Sequence, residues 1–251
     1  MAAPTAGILD TVLNNFRTQI DAGYGSLTGP VQGTLGAVIV ISVAAMAIMW
    51  AVDETTSIWG PLIRKVLLVG FWSYMITNWQ TLSMAAISAF GKLGITAGGG
   101  AAGLSDFLNS PSKVFAYGLI DAKSLYDFCL YCLGKTNTGW GAPATMPIAS
   151  LIDPGAILSF YFQQLPIIVE TILCIAILLF AYAWIALEVV CVVIEFHIVT
   201  LVAFIVLPFG ILSQTSSLAE NAIAYVFRAG FKAMVLGIII SLGTTGVPPL
   251  K

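Results

Sequence analysis

Between Leu165 and Gly210 the chain is almost unbroken in apolar residues, and that stretch carries Glu170, Glu188, Glu195 and His197. A run of this length is too long for a soluble core helix and long enough to cross a bilayer, once or twice. Ionisable groups inside it cannot face hydrocarbon cheaply, so they face a partner helix, a cavity or the membrane edge. Composition agrees. Charged residues make up 9% and hydrophobic residues 59% of the 251 positions, against about 25% charged in soluble domains. The mean hydropathy is +0.96. A formal net charge of -2 leaves no basic footprint of the kind that nucleic-acid binding requires. These features define an all-α, polytopic helical membrane protein, with its buried charges as the place to look for function.

Four segments follow from the pattern. Residues 1–33 hold an amphipathic helix and a linker: Ile8, Leu9, Val12, Leu13, Phe16 and Ile20 recur at helical spacing, with Asp10, Asn14, Arg17 and Asp21 opposite. Gly23 and Gly25 are expected to end that helix. Residues 34–90 hold two spans, Thr34 to Val52 and Pro61 towards Phe90, the second with Arg64 and Lys65 at its mouth. Residues 91–165 form a central periplasmic or interfacial helical region. Within it Gly98, Gly99 and Gly100 make a flexible joint, and Ser110-Pro111 and Asp153-Pro154 each start a helix. The first of these helices ends at Gly134, and Thr136 to Pro147 reads as loop.

Residues 166–251 are read as three C-terminal spans, about five in all. No Gly, Pro, Asn or Asp stands between Pro166 and Pro208, and one helix of that length would reach about 60 Å, twice the hydrocarbon thickness. A hairpin of two spans fits the bilayer. Continuity of one helical face through Trp184, Glu188, Cys191 and Glu195 argues for the alternative, one long helix projecting from the membrane.

The last span carries Asn221, Tyr225, Arg228 and Lys232 at spacings of four, three and four. They form one polar stripe on an apolar helix. It either lies at the interface with its cations snorkelling, or faces a pore or pairs with Glu188 or Glu195 across helices. Cys129 and Cys132 form a C-x-x-C, read either as a disulfide pair or as two residues on a helix face. No metal site is expected: Glu195 and His197 diverge by about 200° on a helix, and no second cysteine pair completes a zinc set. Motifs of zinc proteases, serine hydrolases and nucleotide-binding loops are absent from the sequence. The chain reads as a non-enzyme without a cofactor. Arg64 and Lys65 place their loop in the cytoplasm, which puts the amino terminus and the central region on the periplasmic side.

The stretch L-N-S-P-S-K-V-F-A-Y-G (Leu108 to Gly118), the closing L-P-F-G-I-L-S-Q-T (Leu207 to Thr215) and the set of apolar spans resemble the TrbL family. These are polytopic inner-membrane subunits of conjugative type IV secretion systems, and the resemblance runs over roughly residues 5 to 245. It implies a non-catalytic subunit of an oligomeric ring in the bacterial inner membrane. Pilin, other inner-membrane channel proteins and membrane lipid would be its partners, and DNA or protein substrates would pass without sequence-specific recognition. Small residues crowding the first span, Gly36, Ala37, Ser42, Ala44, Ala45 and Ala47, suit close helix packing. The rival reading is a small-solute or proton-coupled transporter with Glu188, Glu195 and Arg228 at its midplane, for which the sequence shows no internal repeat.

Overall fold

The computed structural model describes residues 7–52, 59–100, 106–136 and 154–245. Among them the chain is helical and without strands: α1 (Ile8–Val52), α2 (Trp59–Thr77), α3 (Trp79–Ala97), α4 (Pro111–Thr136), α5 (Pro154–Val206), a 3-10 turn (Leu207–Ile211) and α6 (Ser216–Thr245). Three of these helical stretches are long and apolar enough to cross a membrane: Ile8–Val52, Leu165–Ile211 and Ser216–Gly243.

The expected hairpin within 166–208 is not formed. α5 runs unbroken for 53 residues with Pro166 inside it, a length of about 80 Å. The missing turn chemistry decides this: no residue between the two prolines offers the backbone a low-cost way out of the helix. The two segments of that hairpin are one helix. The second expected span also differs. It is two 19-residue helices, α2 and α3, meeting at Asn78, whose φ of -105° and ψ of 11° put a bend between them.

α1 likewise runs through the glycines that were expected to end it. It continues for 45 residues past Gly23, Gly25 and Pro30. Packing overrides propensity here. Tyr24, Val31, Leu35 and Val38 are buried, and Tyr24 meets Phe204 of α5 edge-on at 5.5 Å between ring centroids. Beyond Val38 the helix stands largely clear of the bundle, with Val40, Ile48, Met49 and Val52 exposed.

α5 is the spine. α6 returns antiparallel along it, as the contacts Lys232–Glu195 and Gly243 with Tyr182 show. α3 runs parallel to α6, in a register that sets Phe90 by Gly230 and Gly94 by Met234. The α3–α6 backbones touch: a Cβ on Gly94 would stand 2.2 Å from the Met234 carbonyl oxygen. The central glycines are a tight C-cap rather than a free joint. Gly98 N–H donates to Gly94 O and Gly100 N–H to Ile95 O, with Gly99 at φ +80°, where a side chain would be strained.

α4 begins at Pro111 as expected and runs to Thr136, two residues past Gly134 and onto the first residue of the loop read over 136–147; the rest of that loop lies outside the described residues. The two stretches that carry the family resemblance form tertiary joints. In the first, Asp10 Oδ1 accepts the Ser112 N–H at 3.0 Å, so α1 caps the start of α4, and Gly118 lies against the Tyr182 ring. Tyr182 donates to Asp121 Oδ2 at 2.5 Å. In the second, Gly210 packs on Trp72, Thr215 Oγ1 donates to Phe209 O at 2.7 Å, and Lys65 Nζ donates to Ile211 O at 2.7 Å.

Candidate functional site

The polar stripe of α6 and the Trp184–Glu195 face of α5 lie side by side on the surface. Lys232 and Glu195 form an ion pair at 2.5 Å with side chains 54% and 45% exposed, so the expected pairing across helices is made to Glu195. Glu188 is exposed two turns away, about 10 Å along α5, and has no ion pair among the described residues. Asn221, Tyr225 and Arg228 are exposed on α6, and the Arg228 guanidinium lies 5.6 Å from the centroid of the Tyr225 ring. Cys191 is an exposed free thiol on the same face of α5. One seam therefore carries Glu188, the Glu195–Lys232 pair and Arg228 along two mainly apolar helices.

The C-x-x-C does not join this seam. Cys129 is buried, and the side chain of Cys132 lies outside the described residues. Both positions lie on helix α4.

A second polar region was not read from the sequence as a site. Arg17 and Asp21 of α1, read there as an outward polar face, instead line a pocket of about 480 Å³ with Gln80 and Lys92 of α3 and Asp106. Arg17 donates to the Leu108 carbonyl at 3.0 Å, and Gln80 Nε2 donates to Asp21 Oδ1 at 2.8 Å. His197 closes the pocket from α5. It is only 2% exposed, with Nδ1 2.7 Å from Val193 O. Next to it the Trp79 indole N–H donates to Thr200 O at 2.8 Å. The one signal available beforehand was the chain's sole histidine inside an apolar run; its partners come from segments more than 80 residues away in the sequence.

A helical bundle with lipid-length apolar helices and a charged seam across two of them defines an all-α membrane protein. The profile of the TrbL/VirB6 plasmid conjugal transfer protein family matches residues 39–247, most of the chain, and the chain belongs to that family. The family is one of plasmid conjugal transfer proteins. The chain is also similar to a probable conjugal transfer protein TrbL of Sinorhizobium fredii (strain NBRC 101917 / NGR234), with 24% identity over 208 residues. That match covers 83% of this chain and 44% of the relative, so the chain spans less than half of the relative's length. No solved structure matches it.

Proposed function

We propose that this chain is an inner-membrane channel or scaffold subunit of a conjugation machine, that it forms an oligomeric ring, and that the ring supports pilus assembly and the passage of DNA or protein. The observation that carries this is the seam of Glu188, Glu195, Lys232 and Arg228 on the outer face of two lipid-length helices. A lone protomer would set these charges against hydrocarbon, at a cost of several kcal/mol. A ring turns the seam onto a neighbour or an aqueous lumen. Arg64 and Lys65, a basic pair near the start of α2, would orient the protomer with that end of α2 towards the cytoplasm and the amino terminus and central region towards the periplasm.

The test is an in-frame deletion, complemented in trans and scored for cell-to-cell DNA transfer. Transfer lost and then restored is the expected result. Transfer at the normal level without the protein would reject this reading and favour a solute carrier using the same charges.

A further inference from the structure

The slot between α1, α3 and α5 has an unusual charge balance. Arg17 and Lys92 supply two cations, and Asp21 and Asp106 two carboxylates, to one volume of about 480 Å³. Among the described residues the close ion pair is Lys232–Glu195, elsewhere in the molecule; Arg17 and Asp21, one turn apart on α1, feel each other's charge without forming one. Arg17 and Asp21 are held at the wall, and Lys92 and Asp106 are exposed at the slot. Arg17 gives one N–H to Leu108 O, while its Nε is shielded from water without a hydrogen-bond partner. Asp21 is fixed by Gln80. Gln80 and Lys92 stand twelve residues apart on one helix, about 18 Å, so the charges line an elongated slot rather than a point. Met84, Ile87 and Leu108 give it an apolar side.

We infer that this slot binds a zwitterion with the chemistry of phosphoethanolamine, its phosphate drawn to the cations Arg17 and Lys92 and its ammonium to the carboxylates Asp21 and Asp106. The equal count of cations and carboxylates gives a polyanion or an anionic headgroup as much repulsion as attraction, and a bare cation meets Arg17. A ligand carrying both signs finds a cation and a carboxylate in the same slot, each able to form a charge-assisted hydrogen bond. Two sources share this chemistry: the headgroup of a zwitterionic phospholipid, with Met84 and Ile87 against its glycerol end, and free phosphoethanolamine from water. The bilayer around the three lipid-length helices supplies the first at high local concentration.

The test uses the full chain in nanodiscs of equal phosphatidylethanolamine and phosphatidylglycerol, with retained lipid measured by native mass spectrometry. The expected result is retention of the ethanolamine lipid over the glycerol lipid by about tenfold, the scale of one charge-assisted hydrogen bond. The double variant Arg17→Gln, Lys92→Gln loses that retention. The double variant Asp21→Asn, Asp106→Asn leaves two unopposed cations and shifts retention to phosphatidylglycerol, a gain that misfolding would not produce. Added O-phosphoethanolamine identifies the source: lipid retained in its presence assigns the slot to the membrane headgroup, and lipid displaced by it assigns the slot to the free compound. Equal retention of both lipids by the wild type, or a preference unchanged in both double variants, overturns the inference.

Discussion

At the residue scale, the Glu195–Lys232 pair sets the register of α5 against α6. An exposed ion pair of this kind in water contributes only about 0.2–1 kcal/mol, and both side chains here are about half exposed. Its value lies in the membrane, where an unpaired partner would be left in hydrocarbon and the pair specifies which helices meet. Glu195→Lys and Lys232→Glu should each lower DNA transfer by about tenfold or more, on the scale of one charge left unpaired at membrane depth. The double exchange should recover much of it; conjugation frequency is the readout, and a double variant no better than either single would remove the pair from the mechanism. The stripe of Asn221, Tyr225, Arg228 and Lys232 was legible from spacing alone, because a helix turns every 3.6 residues whatever surrounds it. Which glutamate Lys232 reaches was not, since it depends on where the turn at 207–215 sets the return of α6.

At the element scale, two long helices and one close contact govern the architecture. Residues 170 and 200 lie on one continuous helix, so spin labels replacing Glu170 and Thr200 should stand about 45 Å apart. A hairpin would bring them within a fraction of that, and pulsed electron resonance decides between the two. Thr200 is buried, so a label at exposed Val202 serves as the second pair, at about 48 Å. The α3–α6 contact makes a sharper demand. Gly94→Ala places a methyl 2.2 Å from the Met234 backbone oxygen, and backbone cannot swing aside as a side chain would. The expected loss is about 1–3 kcal/mol, read as a lower thermal midpoint in detergent. Gly70→Ala on α2, with nothing within 4 Å of the added atom, should be neutral or mildly stabilising. Helix starts at Pro111 and Pro154 were visible in sequence because proline acts locally. The extension of α1 through Gly23 and Gly25 was not, because burial of Tyr24 and Val31 against distant chain is what holds those glycines helical.

At the scale of the whole molecule, the protomer leaves much apolar surface uncovered. Only 11% of the most apolar window of α1 is buried, against 50% for the α5 window and 39% for that of α6. Lipid and neighbouring copies are what the ring reading sets against these faces. Native mass spectrometry from nanodiscs should therefore show more than one copy per disc for the wild type. Glu188→Lys should lower the copy number if the seam faces a neighbour, and leave it unchanged while altering transfer if the seam lines a lumen. A wild type that stays strictly single-copy would count against the ring.

Membrane class, helical content and the stripe on α6 were determined by the sequence by itself, because solvent partition and helical period are properties of short windows of chain. The tertiary structure alone decided that α1 runs on through Gly23 and Gly25, that Lys232 meets Glu195, and that Arg17, Lys92, Asp106 and His197 face one slot. Each of these depends on contacts between residues far apart in sequence, whose energies exceed the local preferences that a window can show.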